Sequence, residues 1–189
     1  MGKLLLTITI CVVTLISKAQ NASVEKTIFG IQVGVVGIWF YNESKLANSI
    51  ALRSEIGLES NFEEYTEATF YLAPVIALEP KWYYNLKKRN SKGKDTSWNS
   101  GNFVSIEINY VPDWIVIPFK YPNWVPHYSY QISIIPTWGI RRNIGNHFNY
   151  EAGLGIGWEY IFKKDDYPYN LNTGSFIAIN LHLRIGYRF

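Results

Sequence analysis

The chain closes with FIAINLHLRIGYRF, residues 176–189, a stretch that alternates over its whole length. Ile177, Ile179, Leu181, Leu183, Ile185, Tyr187 and Phe189 share one face; Ala178, Asn180, His182, Arg184, Gly186 and Arg188 share the other. Successive side chains of a strand point to opposite sides, so the segment is a strand with one oily and one polar face. Which face meets water decides the fold.

The same two rows recur upstream, and no long stretch after residue 27 has the 3.6 period of a helix. The strands expected are 28–41, 49–59, 69–86, 102–112, 128–142, 147–162 and 176–189. In 147–162, Phe148, Tyr150, Leu154, Ile156, Trp158 and Tyr160 oppose Asn149, Glu151, Gly153, Gly155, Gly157 and Glu159. Arg53, Glu55 and Glu59 oppose Ile50, Leu52, Ile56 and Leu58; Glu79 and Lys81 oppose Ile76, Leu78 and Trp82; Glu107 and Asn109 oppose Ile106, Ile108 and Tyr110. Gln131, Ser133, Thr137 and Arg141 oppose Ile132, Ile134, Trp138 and Ile140.

A soluble barrel hides the apolar row, whereas a membrane barrel turns it toward lipid and encloses the polar one. Two features favour the second. Gly153, Gly155 and Gly157 crowd one polar row, and glycine weakens an exposed strand but makes room where side chains converge inside a narrow barrel. Aromatics gather near strand ends, at Trp39-Phe40-Tyr41, Trp82-Tyr83-Tyr84, Trp158–Phe162 and Tyr187–Phe189, as in two interfacial girdles. The expected fold is all-β: an antiparallel up-and-down transmembrane barrel of about eight strands with a filled polar interior.

The first residues, MGKLLLTITICVVTLISKAQ, read as a leader. Lys3 precedes a 13-residue apolar run from Leu4 to Ile16, and Ser17 and Ala19 form a small-x-small cleavage site. About 20 apolar residues are needed to cross a bilayer as a helix, so the run is too short for an anchor. Residues 1–19 are expected to be removed, leaving 20–189 as one barrel domain. Cys11, the one cysteine, leaves with the leader, and its place inside the apolar run argues against a lipidated N-terminal cysteine. The formal charge of +3 includes Lys3 and Lys18, so the remainder is nearly neutral and offers no case for nucleic acid.

Leader, alternating strands and the terminal LRIGYRF together resemble the small outer-membrane β-barrels of Gram-negative bacteria, such as the OmpA and OmpX transmembrane domains. The resemblance implies that Tyr187 and Phe189 belong to the C-terminal signal read by the barrel-assembly machinery. It also implies an integral outer-membrane location and contact with outer-membrane lipid and lipopolysaccharide. An extracellular partner stays unnamed, and a surface or envelope role such as adhesion, envelope integrity or partner binding is an expectation from architecture.

Seven strands are legible, and single-chain bacterial barrels have an even number. An eighth is expected either at 114–121 or near 20–28. The first choice puts both chain ends on the periplasmic side and the basic connection KKRNSKGK, residues 87–94, outside.

The expected interior network comprises Arg53, Glu55, Glu79, Lys81, Glu107, Arg141, Glu151, Glu159, His182, Arg184 and Arg188, and Glu59 is expected in the same lumen. An eight-strand barrel is only just wide enough for its side chains, so these charges must pair. Of His127, His147 and His182, only His182 lies mid-strand on the polar row. It is the candidate for a lipid A-modifying hydrolase, an activity some barrels of this size carry, but no Ser/His/acid motif accompanies it. A narrow passive pore is the remaining alternative. No spacing suggests a metal site, and no cofactor is expected. The aromatic and Pro-rich stretch DWIVIPFKYPNWVPHY, residues 113–128, reads as a binding tip or rim.

Overall fold

Strands rich in Ile, Val, Tyr and Trp on one row and in polar residues on the other can satisfy their backbone groups only by pairing laterally. The computed structural model describes residues 22–64, 68–113, 117–118, 130–162 and 173–189. Its strands are β1 (Thr27–Gly34), β2 (Gly37–Ala47), β3 (Ile50–Glu64), β4 (Ala68–Trp82), β5 (Asn102–Val111), β6 (Ile117–Pro118), β7 (Gln131–Ile144), β8 (Phe148–Ile161) and β9 (Gly174–Arg188). Every pairing is antiparallel, and the order is β3-β2-β1-β9-β8-β7-β5-β4 with β4 returning to β3. The sheet therefore closes on itself. The last strand meets the first in the register Gly30↔Arg188 to Gly34↔Arg184. The two-residue β6 pairs with Tyr71 and Leu72 of β4, beyond the point where β5 leaves it, and continues the line of β5. The result is an eight-stave up-and-down barrel with a polar interior.

The eighth stave is neither 114–121 nor 20–28. The stretch expected as one strand over 28–41 is a hairpin, β1 and β2, turning at Val35-Val36. Inward positions are even in β1 (Ile28, Gly30, Gln32) and odd in β2 (Trp39, Tyr41, Glu43), so the phase slips across the turn. The turn also reverses the expected sidedness of the basic connection. Residues 22–26, Phe189, the Asn48-Ser49 turn, residues 83–101 and the 145–147 turn all share one end, the terminal end. The Val35-Val36 turn and the C-terminal ends of β3, β5, β6 and β8 lie at the other, distal end. The expected leader, residues 1–19, together with His127 and most of 113–128, falls outside the described residues.

The terminal end carries a folded cap. A short helix, α1 (Leu86–Ser91), and a 3-10 turn at Ser97–Asn99 bring Leu86 and Tyr83 against Val24, Ala51 and Phe103, all buried. Trp98 and Asn99 both hold positive φ, 51° and 62°, a conformation disfavoured for residues with a Cβ and kept only when surroundings enforce it. It is enforced by Asn99, whose side chain enters the barrel to donate to Glu43 and whose Oδ1 accepts from Glu25 N at 2.8 Å.

Outside, the apolar rows face away from the sheet: Ile177 is 79% exposed, Ile156 63% and Leu181 56%, while Arg53, Lys81 and Arg141 inside are 0%. The outer band is bounded by aromatics. Phe29, Trp82, Trp138, Phe148 and Tyr187 are exposed toward the terminal end; Tyr110, Trp158 and Phe176 are exposed toward the distal end on β5, β8 and β9, with Tyr160 half-buried beside them. Phe148 and Trp158 are separated by ten residues of β8. That is about 33 Å along a strand, or about 25 Å of height at a tilt of about 40°.

Candidate functional site

Facing strands carry opposite charges at the same depth, so the inward rows assemble an ionic core. Glu151 on β8 sits opposite Arg141 of β7 and Arg184 of β9, and Arg53 on β3 sits opposite Glu43 of β2 and Glu79 of β4. Across the lumen, Glu151 is the common acceptor. It receives Arg53 Nη1 at 2.8 Å, Gln32 Nε2 at 2.9 Å, Lys81 Nζ at 2.8 Å and His182 Nε2 at 3.0 Å, with Arg141 Nη1 at 3.4 Å. Arg53 also donates to Glu55 and Gln32.

Each cation has a second anion. Lys81 lies 3.3 Å from Glu79, Arg141 donates to Glu43 at 2.8 Å, and Arg184 forks both oxygens of Glu55 at 2.9 and 2.8 Å while standing 3.6 Å from Glu107. Aromatic faces complete the solvation of the cations: Arg53 lies over Tyr41 at 4.1 Å, Lys81 over Phe103 at 4.0 Å and Arg184 over Trp39 at 3.9 Å. A charge removed from water costs several kcal/mol unless paired and hydrogen-bonded, and here nearly every polar group has such partners.

Arg53, Glu55, Glu79, Lys81, Glu107, Arg141, Glu151, His182 and Arg184 thus meet in one connected cluster. Two other residues expected in it stand apart. Glu159 is half-buried on the wall of a distal cavity, and Arg188 closes the terminal end by donating to Asn143 and to Asn146 O while lying over Trp98. Tyr187 and Phe189 face outward in the terminal girdle, where Tyr187 stacks on His147 with centroids 5.4 Å apart.

Four participants were not foreseen: Glu43, Gln32, Tyr41 and Asn99. Glu43 accepts from Arg141, Asn99 and the Tyr83 hydroxyl, the last at 2.9 Å, and so ties the cap to the ionic core. Extending the Trp39–Tyr41 phase by two residues would have found it.

His182 is 1% exposed, donates to Glu151 and meets the edge of Phe103. Among the described residues no hydroxyl hydrogen-bonds to it; Ser105 Oγ donates instead to Glu79 at 2.6 Å. Nor does any group of three His, Cys, Asp or Glu side chains among them suit a metal ion.

Among the described residues the distal half of the lumen holds open space. A cavity of about 370 Å³ is lined by Glu59, Glu107, Ser133, Glu159 and Asn180, and Arg184 and Trp39 form its floor. Trp39 Nε1 donates to Glu59 at 3.0 Å, and Asn180 donates to Glu107. Below that floor the ionic cluster fills the barrel, and the cap covers the terminal end. Compared with protein-family models, with curated proteins and with solved structures, the chain matches none.

Proposed function

We propose that the chain is an integral outer-membrane barrel, exported by a leader spanning residues 1–19, that serves a non-catalytic surface or envelope role. The inversion of the two faces carries this reading. An apolar band about 25 Å tall between two aromatic girdles has the dimensions of a bilayer core, and a closed sheet leaves no edge unpaired in hydrocarbon. Monomeric soluble proteins rarely expose contiguous apolar patches above a few hundred Å², and here the exposed apolar residues run around the barrel.

A lumen blocked by salt bridges and covered at one end supports action through the rims rather than through transport. His182 is buried and engaged with Glu151, and among the described residues no hydroxyl is hydrogen-bonded to it, so the geometry does not favour a hydrolase centred there. Fractionation of expressing cells, followed by electrophoresis with and without boiling, tests location and closure together. The expected result is recovery in the detergent-soluble outer membrane and a shift in mobility on boiling. Recovery as a soluble protein without detergent refutes the proposal.

A further inference from the structure

The cap gathers positive charge on one rim. Lys87, Lys88, Lys92 and Lys94 are exposed on α1 and the turn after it, and Lys26 and Lys45 are exposed beside them. This is a folded platform rather than a loose tail. Leu86 anchors α1 in the small core, Lys92 N and Lys94 N both donate to Arg89 O at 3.0 Å, and the Arg89 guanidinium donates to Asp95 O at 2.9 Å.

The acids at this end do not neutralise it. Asp95 accepts from Ser97 and Asn143, and Glu25 accepts from Trp98 N. Among the described residues no carboxylate pairs with Lys87, Lys88, Lys92 or Lys94. Among the described residues the distal end carries Glu59, Asp113 and Glu159.

The platform stands next to the terminal aromatic girdle. Trp82, Tyr84 and Trp138 are exposed there, and the Trp138 indole donates to Tyr84 Oη at 2.9 Å. Trp and Tyr settle at the headgroup level of a bilayer, which sets the lysines at phosphate height.

We propose that this basic rim is a docking surface for the headgroup phosphates of anionic phospholipid in the leaflet it faces. The inference rests on the membrane reading above. Charge complementarity selects the phosphate, and topology selects phospholipid. Residues 22–26 and Phe189 lie at this rim, and two of the segments joining strands that end on the distal side exceed ten residues against one here. Outer-membrane barrels keep short turns on the periplasmic side and long loops outside. Each lysine held near an anionic surface is worth about a fivefold gain in association at physiological salt, an attraction that salt screens.

The test uses the full mature barrel in phosphatidylcholine vesicles, with tryptophan quenching by brominated phosphatidylglycerol compared with brominated phosphatidylcholine. The wild type is expected to favour phosphatidylglycerol by about tenfold or more at low salt, falling toward no preference at about 0.5 M salt. Joint replacement of Lys87, Lys88, Lys92 and Lys94 by Gln is expected to abolish the preference, and replacement by Arg to keep it. A wild type with no preference, or a salt-insensitive one, overturns the proposal, as does selectivity that survives in the Gln variant. Tighter retention of lipopolysaccharide than of phosphatidylglycerol at equal phosphate overturns the choice of lipid. A barrel that does not enter vesicles at all brings down the membrane reading first, and that outcome is distinguishable from entry without selectivity.

Discussion

Replacing Glu151 by Gln keeps the size of the side chain and removes the charge at the centre of the ionic cluster. Four donors converge on this carboxylate within 3.0 Å: Arg53, Lys81, Gln32 and His182. An amide offers one acceptor oxygen and turns an NH2 group toward the rest, so at least one buried cation loses a partner and meets a donor instead. Breaking a buried ion pair from one side costs about 3–5 kcal/mol. With a urea dependence of about 2 kcal/mol per molar, the unfolding midpoint falls by about 2 M. Glu159→Gln is the matched control, since Glu159 lies on the same strand and inner face but is half-buried on the cavity wall. Its effect is expected within about 0.5 kcal/mol. Urea titration of both folded variants in detergent, followed by tryptophan fluorescence, decides the matter. Equal midpoints, or a shift below about 0.5 M for Glu151→Gln, refute the claim that the cluster is a mutually dependent network.

Gly157→Ala places a Cβ 2.1 Å from Ile134 O and 2.6 Å from Ile135 Cα, both backbone atoms of the neighbouring strand. It is expected to cost more than about 2 kcal/mol or to prevent folding, whereas Gly145→Ala, in open space at φ +60°, costs about 1–2 kcal/mol. The folded fraction on unboiled gels compares the two, and a better-tolerated Gly157→Ala refutes the steric account. Partial burial alone would raise the Asp95 carboxyl, but hydrogen bonds from Ser97 and Asn143 outweigh it and hold it below its ordinary value of 3.8. A depressed carboxylate stabilises the fold fully above that value and loses the contribution as pH falls through its own lower one. The Ser97 amide resonance is therefore expected to titrate only below pH 3.8 in the wild type and not at all in Asp95→Asn.

Face assignment was legible because the strands are long and charged residues mark one row. Arg53 and Glu55, Glu79 and Lys81, and Arg184 and His182 each fix the phase of a strand without help from tertiary structure. Pairing partners were not legible, since Arg53 meets Glu151 across 98 positions and only closure brings them together. The hidden turn at Val35-Val36 has a local cause. From Val33 to Tyr41 every residue is apolar or glycine, so no polar residue reports the slip in phase, and the turn lacks Asn, Asp or Pro. Glu43 was missed for the reverse reason: NESKLANS, residues 42–49, has the composition of a loop although most of it continues β2.

The ionic interior also explains how such a sheet holds its register. A buried salt bridge is weak evidence for stability, because apolar residues of similar volume often serve as well. In this barrel they would not serve as well for specificity. If the inner rows were apolar, the two faces of each strand would be alike, and a slip of one residue would exchange them at little cost. With Glu151, Asn149 and Glu159 on one row of β8, a one-residue slip turns all three outward and brings Leu154 and Ile156 into the lumen. On the lipid-facing reading a misplaced Arg or Lys at the midplane costs about 2–4 kcal/mol and a Glu less, and its former partners lose their counterions at the same time. The penalty recurs on β3, β4 and β9, which carry Arg53 and Glu55, Glu79 and Lys81, and His182 and Arg184. Neighbouring strands therefore constrain one another, and the register that pairs all of these charges is separated from the next by more than any single bridge contributes.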